Sequence, residues 1–155
     1  MGAVTEHRYT VSVEWLGNRG TGTSGYRDYS RQGVIRAAGK VELPLSADRT
    51  FHGDRDRWNP EELLLAALAE CHMLSYLHVA VQHGVVVTGY EDAASGTMVQ
   101  EGQGGHFTEA TLHPVVTLAD PGQAELADSL HHEASELCFI AQSVNFPVTH
   151  EPRAQ

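Results

Sequence analysis

Two cysteines, Cys71 and Cys138, and ten histidines are the side chains of this 155-residue sequence best able to do chemistry. A cysteine in a core is a small hydrophobe; beside ionisable groups it can become a nucleophile or a metal ligand. Glu70, His72, Ser75, Tyr76 and His78 surround Cys71, an unusually polar patch after a purely apolar turn. Cys138 ends a segment holding His131, His132, Glu133 and Glu136. Both cysteines therefore stand where apolar surface gives way to ionisable groups, a setting that can tune a thiol, and plain core packing is the alternative. A zinc site would want two histidines four apart on a helix or a Cys-x-x-Cys loop, and neither occurs. Cys71-His72 and His131-His132 are adjacent pairs that point to different helix faces, so no metal is expected. No Gly-x-Ser-x-Gly elbow supports a serine nucleophile.

The elements that must position these cysteines can be read from local signals. Asn59 is a good N-cap, Pro60 suits the first helical position, and Glu61 and Glu62 complement the helix dipole. The pattern predicts a helix over about 60–83, with Gly84 as its stop. Leu63–Ala69 is apolar all round, so this helix should be central and wrapped by other elements. Asp120-Pro121 starts a second helix over about 121–138, with Leu126, Leu130, Ala134, Leu137 and Cys138 as its apolar stripe. Strict alternation from His7 to Trp15 predicts a half-buried strand with Tyr9, Val11, Val13 and Trp15 on its inner face. Gly17–Gly22 is a glycine-rich turn without the lysine of a phosphate loop. Short strands are expected near Tyr26–Tyr29 or Val34–Arg36 and at Lys40–Leu45. Val85-Val86-Val87 leads into a strand through Tyr90 to Gln100, broken near Gly96, which a turn at Gly102–Gly105 joins to a second strand, Phe107–Leu118, interrupted at Pro114, as an antiparallel hairpin. An extended run, Asn145–His150, closes the chain. No repeat or linker divides it, so residues 1–155 read as one α+β domain.

Composition excludes several partners. Asp and Glu number 20 against 10 Lys and Arg, giving a net charge of −10, and Lys40 is the single lysine. Such a chain would not neutralise a run of phosphates, so no nucleic acid is expected. No apolar run approaches ~18 residues and no charged-then-apolar leader opens the chain, which predicts a soluble cytoplasmic protein with no membrane partner. Two cysteines are too few for a disulfide scaffold, and a reducing compartment follows.

The run from Asn59-Pro60-Glu61-Glu62 through Ala69-Glu70-Cys71, with the second cysteine in Glu136-Leu137-Cys138-Phe139, resembles the OsmC/Ohr family of osmotically inducible and organic-hydroperoxide-resistance proteins. The resemblance covers nearly the whole chain, from opening strand to closing strand. It implies antiparallel sheets wrapped around long central helices in an intertwined homodimer. It also implies a thiol peroxidase without metal, flavin or other cofactor, which reduces organic hydroperoxides and is recycled by a dithiol reductant, either a lipoylated protein or a small dithiol. By position, Cys71 matches the peroxidatic cysteine, Cys138 the resolving cysteine and Glu61 the helix-start glutamate. The family arginine falls on Arg49 or, in the turn after the first strand, Arg19; Arg27, Arg55 and Arg57 are further candidates. His72 directly after Cys71 and Phe139 directly after Cys138 depart from the commoner pattern.

The chemistry explains why these residue types are needed. A thiolate attacks the O–O bond, leaving an alcohol and a sulfenic acid, and the second cysteine closes a disulfide before over-oxidation. A thiol near pKa ~8.5 is only slightly ionised at pH 7, so an arginine close to Cys71 would favour the thiolate. Glu61 would orient that arginine. Ten helical residues separate Glu61 from Cys71, roughly 15 Å at the helical rise, more than one arginine can bridge within a chain. This predicts two antiparallel central helices about a two-fold axis, each active site drawing on both subunits. Trp58, Leu74, Tyr76 and Phe139 are the expected pocket walls. A member of the same fold that binds an apolar ligand or partner without catalysis is the competing reading.

Overall fold

Asn59 begins the longest element by the mechanism its sequence suggests: its side-chain Oδ1 accepts from the Glu62 N–H at 2.8 Å. The helix that follows, α1, spans Pro60–Gln82. It ends in a Schellman arrangement, with Gly84 N–H donating to the Val81 carbonyl and Val85 N–H to that of Ala80. Gly84 holds φ at +69°, a conformation that disfavours any side chain. The computed structural model describes residues 2–155 and divides into two compact units, the first ending at Leu63 and the second beginning at Leu64.

The first unit carries an antiparallel sheet of β1 (Ser12–Trp15), β2 (Gly33–Arg36) and β3 (Leu43–Leu45), in that order. Arg36 ties the strands together by reaching Glu14 on β1 and Glu42 before β3. The opening strand is shorter than its alternation suggests, and its expected inner face is not covered within the chain. Tyr9, Val11, Val13 and Trp15 are all exposed. Alternation marks one face as apolar but does not supply the layer that would bury it.

The second unit is built on one long, bent hairpin. β4 (Val87–Asp92) pairs with β7 (Pro114–Leu118), while β5 (Ser95–Glu101) pairs with β6 (Gly104–Leu112), all antiparallel. The hairpin splits into two sheets at Ala93–Ala94 and His113, not at Gly96. Gly96 stays inside β5, where a Cβ would come within 2.8 Å of the Leu65 side chain; its role is close approach to α1. β8 (Val148–His150) adds to β6 and β9 (Arg153–Ala154) to β7, both parallel.

The second helix, α2, spans Ala124–Leu137, after a 3₁₀ turn at Pro121–Gln123 capped by the Asp120 carboxylate. Its buried residues are Ala127, Leu130, His131 and Ala134. Of the expected stripe, Leu130, Ala134 and Cys138 are buried, whereas Leu126 and Leu137 lie exposed and Ala127 and His131 fill the buried face instead. Two alanines let the helix sit close to its neighbours, which leucines there would prevent. Its core is shared with Tyr76, Val79 and Ala80 of α1 and with Val85, Val116 and Leu118.

By length and composition alone, α1 could cross a bilayer. Its packing is that of a core helix instead, since His72 and Tyr76 are fully buried and both find polar partners. The covering is incomplete, however: Leu74 and Val81 remain exposed within the chain. An all-round apolar helix needs more layers than one small unit supplies.

Candidate active site

Cys71 stands midway along α1 and Cys138 caps the C-terminus of α2. Packing of α2 against α1 brings together two thiols that lie 67 positions apart in the sequence. Both are free; Cys71 is partly exposed and Cys138 is buried. Burial first, and the neighbouring Cys71 thiol second, push the Cys138 thiol up to about 11. The C-terminal end of α2, with its partial negative charge, opposes a thiolate there too. Ala141 N–H donates to the Cys138 Sγ at 3.4 Å and offsets part of this. Cys138 is therefore a protonated thiol at neutral pH.

Each cysteine opens to its own cavity. Cys71 faces one of about 410 Å³, lined by Leu74, Ser75, His78, Leu137 and Phe139. On α1 these residues fall at positions 71, 74, 75 and 78, one helix face by spacing, a signal that pointed to Ser75 and His78 without any structure. Leu137, expected in the core stripe of α2, lines this cavity instead, a placement that helix spacing does not reveal. Cys138 faces a smaller cavity of about 150 Å³, lined among others by His72, Gln142, Thr149 and His150. Of the four expected pocket walls, Leu74 and Phe139 line the same cavity as Cys71. Tyr76 lies instead in the core, where its hydroxyl donates to the Ala127 carbonyl at 2.9 Å, and burial raises its pKa to about 12.

Behind the smaller cavity lies a feature that no motif announced. His72 Nε2 and His131 Nδ1 share a hydrogen bond of 2.9 Å, with both rings buried. His150 stacks on His72 at 5.6 Å, and Tyr76 on His131 at 4.1 Å. Burial disfavours the charged form, placing His72 at about 4 and His131 at about 3, and the histidines reinforce this in one another. The His131 Nε2 has no hydrogen-bond partner among the described residues. Because a bare ring nitrogen is more tolerable there than an orphaned N–H, the favoured tautomer has His131 Nδ1–H donating to His72. His132, its sequence neighbour, points to solvent, as adjacent helix positions must. Among the described residues, no three His, Cys, Asp or Glu side chains form a metal-binding group.

The remaining expected residues belong to the first unit. Trp58 is half-exposed and bridges to Leu45 through its backbone. Arg19 Nη1 donates to the Arg27 carbonyl at 3.3 Å, and Arg57 Nη1 to that of Gly33, also at 3.3 Å. Arg49 opens an exposed 3₁₀ turn, Arg49–Phe51, and its guanidinium makes no hydrogen bond among the described residues. Arg55 acts on Asp48 by charge alone. Glu61 Oε2 is buried without a hydrogen-bond partner among the described residues.

Known structures share this architecture. An OsmC-like protein of unknown function from Vibrio cholerae is 28% identical, with a TM-score of 0.82 over 95% of this chain and 99% of its own. An organic hydroperoxide resistance protein from Elizabethkingia anophelis, at 18% identity and a TM-score of 0.69, covers 97% of this chain and 100% of its own. An organic hydroperoxide resistance protein OsmC from Legionella pneumophila gives 19%, 0.65, 97% and 99% by the same measures. The latter two likenesses are of fold. No curated protein matches the sequence. The family described as OsmC-like protein matches residues 52–153, a span that holds Asn59, the whole of α1 and both cysteines, and this chain belongs to that family.

Proposed function

We propose that this protein is a cytoplasmic two-cysteine peroxidase that reduces organic hydroperoxides and so serves in oxidative stress. The observation that carries the reading is the pairing of Cys71, open to an apolar cavity, with a buried Cys138 beside it. In the first step the Cys71 thiolate attacks the outer oxygen of the hydroperoxide. The O–O bond breaks, the alkoxide takes a proton and leaves as alcohol, and Cys71 becomes a sulfenic acid. In the second step Cys138 attacks that sulfur and water departs, leaving a disulfide. A dithiol, lipoylated or small, restores both thiols. The cavity walls Leu74, Leu137 and Phe139 suit an apolar organic chain better than hydrogen peroxide.

Activation of Cys71 is assigned to an arginine, Arg49 ahead of Arg19, positioned by Glu61. The unpartnered Glu61 carboxylate and the exposed apolar surface of α1 support a homodimer in which each site combines Glu61 of one subunit with Cys71 of the other. A buried carboxylate oxygen without a partner is costly, and an arginine would satisfy it.

The decisive experiment adds tert-butyl hydroperoxide to the reduced protein and counts thiols. Loss of both thiols with a Cys71–Cys138 disulfide is expected. Cys71→Ser should abolish consumption, while Cys138→Ser should complete one turnover and hold a sulfenic acid that dimedone traps. Two untouched wild-type thiols would overturn the reading in favour of an apolar binder.

A further inference from the structure

The buried resolving thiol poses a problem that the peroxidase reading leaves open. With its pKa near 11, about one Cys138 in 10⁴ is ionised at pH 7, so closing the disulfide needs a base within reach. The Cys71 cavity holds His78, but Cys138 does not line it; the smaller cavity, which Cys138 itself lines, holds His72 and His150.

We propose that His150, seated on β8 at the wall of the Cys138 cavity, is the base that takes the Cys138 proton as that thiol attacks the sulfur of Cys71. His72 and His131 are positioning residues. This rests on the thiol–disulfide reading of the same pair. His150 is chosen over His72 because its ring is partly exposed and makes no hydrogen bond among the described residues, leaving a nitrogen free to accept. The His72 Nε2 is already committed to His131 in a buried pair. Stacking against His72, at an interplanar angle of 21°, fixes the His150 ring, and the register Leu112↔His150 holds its backbone to β6.

The groups facing His150 keep it in its basic form. His72 comes from α1, and His131, His132 and Cys138 from α2; none of these is an acid that would hold a proton on the imidazole. Glu151, next along the chain, is taken up by His113 at 3.4 Å. Burial, then His132, lowers the His150 pKa, so the ring is neutral at pH 7. In the reaction the S–H bond of Cys138 breaks toward the His150 nitrogen, directly or through one water in the cavity, as the S–S bond forms. When Cys71 is a sulfenic acid, the S–O bond breaks and the proton leaves with the departing hydroxide as water.

Ellman's reagent tests this without any peroxide. The reagent converts Cys71 to a mixed disulfide, releasing one thionitrobenzoate; Cys138 then displaces the second, and the two phases are read separately at 412 nm. His150→Gln should leave the first phase unchanged and slow the second by about 10²-fold at pH 7. Its second phase should also climb about tenfold per pH unit up to the thiol pKa, whereas wild type, whose base is already neutral, should be nearly flat from pH 7 upward. Added imidazole should restore the second phase in His150→Ala, a response that lost packing cannot produce. A wild-type second phase in His150→Gln, or a slow His150→Ala that imidazole leaves slow, would overturn the assignment. So would a wild-type protein that releases a single equivalent. If hydroperoxide leaves Cys71 untouched while these phases behave as expected, the peroxidase reading falls and the base assignment stands.

Discussion

Acidification should destabilise this protein well above the pH at which its carboxylates protonate. His72 and His131 titrate at about 4 and about 3 in the folded chain, against about 6.5 when unfolded. Both folded values are depressed, so between pH 6.5 and 4 the unfolded chain binds two protons that the folded one refuses. Stability is full above pH 6.5 and is lost as pH falls through that window, at up to about 1.4 kcal/mol per pH unit for each ring. From pH 7 to pH 5 each histidine accounts for about 2 kcal/mol, and the pair for about 4, a large part of an ordinary stability of 5–15 kcal/mol. Urea unfolding of reduced protein, followed by circular dichroism at fixed protein concentration, reads this directly. With a slope near 2 kcal/mol per molar, the midpoint should drop by about 2 M between pH 7 and 5. His131→Phe keeps a flat ring stacked under Tyr76 and removes one titrating group, so the drop should be about half. Equal midpoints at the two pH values, or an undiminished drop in His131→Phe, would refute the neutral buried pair.

Two further outcomes follow from single contacts. Asn59→Ala removes the 2.8 Å cap to Glu62 N–H and should cost about 1 kcal/mol, visible as a lower urea midpoint with an unchanged slope. Phe139→Ala strips the apolar wall beside Cys71 and should raise KM for cumene hydroperoxide several-fold while leaving hydrogen peroxide turnover nearly unchanged; equal effects on both substrates would remove Phe139 from the pocket.

Local signals proved the most readable. The Asn59-Pro60 start and the Gly84 stop of α1 are made by residues within a few positions of one another, so short-range hydrogen bonding and φ preferences decide them. Cysteine and leucine placement near Cys71 was legible for the same reason, because helix spacing alone puts Leu74 on its face. In α2 the expected stripe holds at Leu130, Ala134 and Cys138 and fails at Leu126 and Leu137. Leu126 and Leu137 are the more apolar residues, but Ala127 and Ala134 permit the close approach that the core demands. The apolar face of β1 lies open for a different reason, since alternation reveals an apolar face without saying what covers it.

By itself the sequence determined where each cysteine sits on its helix, the caps of α1, the α+β order of elements and the family motif around Asn59, Glu61 and Cys71. All of these depend on neighbours along the chain. Only the tertiary structure decided that the Cys138 thiol is buried and protonated, and that the two cysteines look into different cavities. The tertiary fold alone also stacks His72, His131 and His150, drawn from α1, α2 and β8, into one neutral array. A histidine's charge state follows from what buries it, and burial by three elements far apart in sequence leaves no trace in local spacing.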